Sequence, residues 1–133
     1  MGSPIAFTVV KTKTQSSVEI NQNIQFDKVI LNDGGGFHVY HGIFSAPVSG
    51  YYIFSTSIMH PDTAQSLHAG IMHNGNVIAI AGSTKNIWNQ AAQTVVLKVS
   101  AADEIWIKNL NYEHVSVYVG SFSTFTGVLL YQL

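Results

Sequence analysis

The side chains able to do chemistry gather in three short polar stretches. Residues 60–66 hold His60, Asp62, Thr63 and Gln65; residues 84–92 hold Lys85, Asn86, Trp88, Asn89 and Gln90; residues 110–122 hold Asn111, Tyr112, Glu113 and His114. A sugar presents a fringe of hydroxyls and an apolar C–H face, so its sites pair amides and carboxylates with an aromatic platform. Trp88 between Asn86 and Asn89 has that composition. Asp62, Thr63, Gln65, Asn86, Trp88, Asn89, Asn111, Tyr112, Glu113 and His114 are therefore the candidate ligand contacts. The competing reading is plainer: exposed loops are polar in any protein, and Trp88 packs against a neighbouring loop or subunit.

Enzymatic chemistry finds little footing. The chain has no nucleophile elbow, paired carboxylates, phosphate loop or helical His-x-x-x-His, and scattered Ser, His and Asp mean nothing without geometry. We expect no enzyme. With no cysteine there is no disulfide framework, thiolate metal site or thiol nucleophile. The six histidines read as surface or interface residues, and no metal site is expected from their spacing. His38 and His41, if in one strand, point to opposite faces, and His60 and His68 flank one loop.

The elements that must position these loops are strands. Period-2 alternation and β-branched or aromatic residues mark strands over 6–10, 26–31, 37–44, 51–59, 67–72, 77–81, 93–99, 104–109, 115–119 and 124–131. Asn32-Asp33-Gly34-Gly35-Gly36 forces a turn, and His73-Asn74-Gly75-Asn76 is the sequence of a type I′ hairpin. Many short strands at about ten-residue spacing form a sandwich or barrel. One domain over 5–133 follows, with Met1-Gly2-Ser3-Pro4 read as an expression scar or a disordered start.

Chain direction then places the loops. If the strand from Tyr51 leaves the end that holds the termini, the 60–66, 84–92 and 110–122 connections share the far end, while Asn74-Gly75 and the 100–103 turn share the near end. Irregular loops on a rigid scaffold are where binding usually resides.

Composition points to a subunit interface. Charged residues are 10% and apolar residues 47% of the 133, with a mean hydropathy of +0.22. That is too apolar a chain to hide internally. After Gly50, the set Tyr52, Phe54, Thr56 and Ile58 faces one way, taken as inward, and Tyr51, Ile53 and Met59 face outward. In the last strand Phe125, Leu129 and Tyr131 oppose Thr124, Thr126, Val128 and Leu130. Tyr51, Ile53, Met59, Val128 and Leu130 are the candidate interface. In the 104–108 stretch the isoleucines face inward and Trp106 faces outward, where it covers the outer surface of its sheet or, as the alternative, anchors a partner. No 18-residue apolar run exists for membrane insertion, and six scattered lysines without arginine argue against nucleic acid.

The spaced residues Phe26, Asn32, Phe37, Phe44, Gly50, Tyr52 and Phe54, in the stretch FDKVILNDGGGFHVYHGIFSAPVSGYYIFSTSIM, together with the C-terminal STFTGVLLY, closely resemble the globular head domain of the complement C1q family. The resemblance covers essentially 6–133. It implies an all-β, ten-stranded jelly-roll sandwich of two five-stranded antiparallel sheets, assembling as a homotrimer through the outer face just described. Stalkless heads of this family, abundant in invertebrates, resemble secreted lectin-like receptors of innate immunity that bind microbial polysaccharide or lipopolysaccharide. The alternative implied is a trimeric secreted signalling ligand for a protein receptor. Some relatives hold calcium on an aspartate-rich run before the last strand, but here Tyr118-Val119-Gly120-Ser121-Phe122-Ser123 has no carboxylate. An inherited calcium site is not expected, and Asp62 and Glu113 remain as candidate ligands from other loops.

Overall fold

The computed structural model describes residues 2–60, 65–84, 89–112, 115–117 and 121–133, with the backbone alone at 115 and 116. Twelve strands follow in order: β1 (Ala6–Val10), β2 (Gln15–Val18), β3 (Lys28–Asp33), β4 (Phe37–His38), β5 (Ile43–Ser45), β6 (Gly50–His60), β7 (Leu67–His73), β8 (Asn76–Ser83), β9 (Asn89–Val99), β10 (Glu104–Asn109), β11 (Val115–Val117) and β12 (Thr124–Gln132). Ten of them form two five-stranded antiparallel sheets, β3-β1-β12-β6-β9 and β4-β5-β10-β7-β8. β2 and β11 make a small third sheet. Its strand Gln-Ser-Ser-Val has too little β-propensity to be read from sequence, and pairing with β11 imposes the conformation.

Aromatic packing between the two sheets explains the spacing of the signature residues. Phe7 lies at the centre, 4.8 Å from Phe44, 4.9 Å from Phe125 and 5.2 Å from Phe37, ring centre to ring centre. Tyr52 and Phe54 stack against the same cluster, and the Tyr52 hydroxyl donates to the Val48 carbonyl at 2.8 Å, satisfying its one polar atom. Gly127 is required by this cluster: a Cβ there would sit 2.4 Å from Phe7 and 2.8 Å from Phe54. Asn32 has a different task. Its side chain donates to the Phe37 carbonyl at 3.0 Å and accepts from the Phe37 amide at 3.1 Å, pinning the glycine turn between β3 and β4.

Several boundaries differ from the expectation, each for a local reason. Phe26 is buried ahead of β3, and a bulge opposite Thr8 and Val9 leaves Ile30 outside the ladder, so this edge strand loses its alternation. The expected 37–44 strand splits because the 41 and 42 amides both turn back onto the His38 carbonyl, with Gly42 at φ +70°. His38 and His41 therefore flank a turn. β9 starts at Asn89, so the second far-end connection shortens to 84–88. Asn74 and Gly75 have φ of +50° and +90°, the type I′ geometry expected of them.

The two ends separate as chain direction requires. Gly50 pairs with Gln132 and Val99 at one end of the sandwich, and His60 pairs with Asn89 at the other. The connections after β6 and after β8 each cross from one sheet to the other at the far end, which is why neither is a tight hairpin. Among the described residues, no helix is long and apolar enough to cross a membrane.

Candidate ligand-binding end and assembly face

Four of the candidate ligand contacts lie among the described residues: Gln65, Asn89, Asn111 and Tyr112. Asp62, Thr63, Asn86, Trp88, Glu113 and His114 lie outside them. Two of the described amides are occupied with holding loop bases. Asn89 Nδ2 donates to the Thr84 carbonyl and hydroxyl at 3.1 and 3.0 Å, closing the second connection. Gln90 Nε2 donates to the Ser57 hydroxyl at 2.7 Å and the Phe122 carbonyl at 2.8 Å, joining β6, β9 and the third connection. His60 is buried, and its Nε2 contacts the Gln65 carbonyl, so it braces the first connection from below and is withdrawn from any ligand.

What faces outward is a cluster that includes a residue absent from the expected set. Asn111 Nδ2 donates to His68 Nδ1 at 2.7 Å, and the Tyr112 ring meets the His68 imidazole edge-on at 5.2 Å. That bond makes Nδ1 an acceptor and leaves the proton on Nε2. Tyr112 takes a left-handed backbone, φ +53°, and its carbonyl accepts from the buried Asn109 amide at 3.0 Å. Asn109 Nδ2 also reaches the carbonyls of Val18 and Glu19 at 3.2 and 3.1 Å, tying the third connection to the turn after β2. His68 stands opposite Gly82 on β8, whose missing side chain leaves the imidazole uncovered. A histidine facing a cross-strand glycine was the signal available in the sequence, but it depends on register.

At the near end, Asp103 organises the turns. It accepts from His73 Nε2 and from the Ser100 amide, both at 2.9 Å, while Asn74 Oδ1 accepts from the Glu104 amide at 2.8 Å. Hydrogen bonding from Asn74, then from His73 and Ser100, holds the Asp103 carboxyl down at about 2. His73 and Asp103 thereby brace the Asn74-Gly75 turn against the 100–103 turn. Among the described residues, no three His, Cys, Asp or Glu side chains gather as metal ligands.

The outer face of β3-β1-β12-β6-β9 reads across as registered rows. Ala6, Val128, Ile53 and Val96 stand opposite one another in one row, and Thr8, Thr126, Ser55 and Thr94 in the next. Hydroxyls pair along the second row, Thr8 with Thr126 at 3.2 Å and Ser55 with Thr94 at 2.9 Å. A bulge at Leu130 in β12 turns Tyr131 to stand opposite Tyr51, correcting the expected alternation, and leaves Tyr131 64% exposed. Met59 also departs from expectation: it is only 8% exposed in the single chain. The far end of β6 runs into three consecutive buried residues, and the Met59 amide donates to the buried Ser123 hydroxyl at 2.9 Å, so period 2 no longer sorts faces there. Met59 needs no second subunit to cover it. Tyr51 and Leu130 are exposed, and Ile53 and Val128 half-buried.

The C1q domain family model matches residues 6–130. The chain belongs to the C1q domain family. It is 36% identical over 118 residues to complement C1q tumor necrosis factor-related protein 3 of Mus musculus, covering 84% of this chain and 46% of that protein. Identity to the related protein 2 of Homo sapiens is 29% over 131 residues, 95% of this chain and 44% of that protein. This C1q domain thus spans less than half the length of the curated relatives it matches. Among solved structures, the globular domain of zebrafish complement 1qA superposes with a TM-score of 0.81 at 19% identity, over 97% of this chain and 99% of that one. Murine APRIL superposes at 0.78 with 12% identity, over 97% and 100%, and the Eiger TNF of S. frugiperda at 0.77 with 13% identity, over 99% and 96%. Those likenesses carry the jelly-roll fold.

Proposed function

We propose that this C1q domain is the secreted, non-enzymatic recognition head of a homotrimer that binds microbial surface glycans or lipopolysaccharide through its far-end connections. The observation that carries the reading is the outward Asn111–His68–Tyr112 cluster, in which an amide, an imidazole and an aromatic edge are held at fixed distances on a rigid sandwich. Such a set suits a hydroxylated ring better than a broad protein interface. Trimer formation is supported by the row Ala6, Val128, Ile53 and Val96 beside Tyr51 and Tyr131. A three-fold interface is heterologous and needs a second, different patch. The exposed Val77, Ile78 and Ile80 of edge strand β8 supply one.

A secreted ligand for a protein receptor is the second reading. It draws on Trp106, half-buried on the outer face of the other sheet opposite Met72 and Ile43, as an aromatic anchor. The test is binding of the purified protein to microbial polysaccharides, lipopolysaccharide and simple glycans, with and without a calcium chelator. Saturable binding that free sugar competes away, and that Asn111→Ala or Tyr112→Ala removes, supports glycan recognition. Silence across the panel rejects it in favour of a protein receptor.

A further inference from the structure

A second polar site lies on the flank of the sandwich, away from the far-end loops. Side chains from the 11–15, 25–27 and 39–40 stretches line two adjoining depressions, of about 380 and 240 Å3, that share Gln25 and Asp27. The larger is within the size range of small-molecule sites, about 300–1,000 Å3. Tyr40 lines it beside Val39 and is 89% exposed. The turn that carries it is fixed from beneath, where Gln25 Nε2 donates to the Tyr40 carbonyl at 3.4 Å and Asn23 Nδ2 to the His41 carbonyl at 3.3 Å.

The floor of the smaller depression contains Lys11, only 3% exposed. Its Nζ donates to Gln15 Oε1 at 3.0 Å and to the Gln25 carbonyl. Gln15 is itself fixed, accepting from the Gln25 amide at 2.9 Å and donating to the Asn23 carbonyl at 3.0 Å. Two of the three ammonium protons thus meet neutral oxygens, and no described carboxylate lies within ion-pairing distance. A buried cation without an adjacent anion is costly. Burial lowers the Lys11 amine to about 8, with Asp27 opposing the shift.

Asp27 is nearby but otherwise engaged. Its Oδ1 accepts from the amides of Thr12 and Lys13 at 2.9 and 3.3 Å, and its Oδ2 accepts from the Thr12 hydroxyl. Burial works to raise its pKa, but these bonds outweigh it and keep the carboxyl ionised below its ordinary range. The groups facing Lys11 are therefore one carboxylate already bonded to the loop and the second cation Lys13. The balance favours a single negative charge on a ligand. A phosphate dianion would meet Asp27 with no arginine to offset it.

We propose that this flank groove binds a carboxylate-bearing pyranose, a hexuronate unit, with the carboxylate on Lys11, the hydroxyls on Gln25 and Asp27, and the C–H face on Tyr40. The assignment rests on the glycan reading above but uses none of the far-end residues. Calorimetric titration of the intact protein with a galacturonate trisaccharide and with the neutral galactose trisaccharide tests it. The galacturonate compound should bind at least tenfold more tightly than the neutral one at pH 6.5, and less tightly at pH 9.5, where the amine is neutral. Tyr40→Ala, at an exposed position that leaves the fold unaltered, and Lys11→Met should each weaken galacturonate binding at least tenfold, whereas Asn111→Ala should not. Equal binding of both trisaccharides, undiminished binding by Tyr40→Ala, or no galacturonate binding overturns the groove assignment. Loss of glycan-panel binding in Asn111→Ala but not in Tyr40→Ala bears on the far-end reading alone, so the two can fail separately.

Discussion

Replacing Ile53 by aspartate should convert the proposed trimer to a folded monomer. Ile53 sits mid-row between Val128 and Val96 on the proposed assembly face and is only half-buried in the single chain, so the intramolecular core does not depend on it. Burying a whole isoleucine is worth about 2 kcal/mol, and Ile53 is already partly buried in the single chain, so the interface share is about 1 kcal/mol; desolvating an unpaired carboxylate at a dry interface adds at least about 1 kcal/mol even after relaxation. Three interfaces per trimer bring the penalty to about 6 kcal/mol, roughly 4.4 decades in the assembly constant at 1.36 kcal/mol per decade. Because the half-dissociation concentration of a trimer scales as the square root of that constant, it should rise by about two decades. Sedimentation velocity at micromolar protein reads this directly, as a fall from three times the 14.5 kDa chain mass to one. Far-UV circular dichroism should be unchanged. A variant that sediments as the wild type does, or a wild type already monomeric at these concentrations, would refute the assembly face.

Gly127→Ala should destabilise the fold by about 1–3 kcal/mol through overpacking, since its Cβ would meet Phe7 at 2.4 Å; a lowered urea midpoint at unchanged slope is the readout. Asn32→Ala removes both bonds that pin Phe37 and should cost about 2–3 kcal/mol in the same assay. Asp103 is depressed to about 2 by its partners, so its stabilising contribution is complete above the ordinary carboxylate range and disappears as pH falls through about 2. Asp103→Asn should flatten the acid limb of a stability–pH profile. Lys11 has the same sign in an alkaline window: with its folded pKa lowered by burial to about 8, stability rises as pH increases from about 8 towards the unfolded value near 10.5, and Lys11→Met should abolish that slope.

Much of the scaffold was legible because its determinants are local or tied to strand period. Tyr52, Phe54, Thr56 and Ile58 are all buried as alternation required, and Asn74-Gly75 makes the turn its chemistry dictates. Where pairing rather than propensity decides, sequence reasoning failed: β2 exists because β11 lies beside it, and the bulges at Ile30 and Leu130 are visible only in register. The binding candidates were less legible still. An asparagine in a loop looks the same whether it stands outward beside a histidine, as Asn111 does, or closes the loop's own base, as Asn89 does. Tyr40 and Lys11 gave no motif at all, being brought together by the packing of the 39–42 turn on residues 24–25.

Glycan recognition by a multivalent head is what we propose for this C1q domain. The most direct measurement compares wild type and the Ile53→Asp monomer on a surface of immobilised microbial polysaccharide, with free monosaccharide as competitor. The wild type should bind and be displaced by free sugar, while the monomer should bind about 10²–10⁴ times more weakly through lost avidity. Equal binding by both proteins, or binding that free sugar leaves intact, would contradict it.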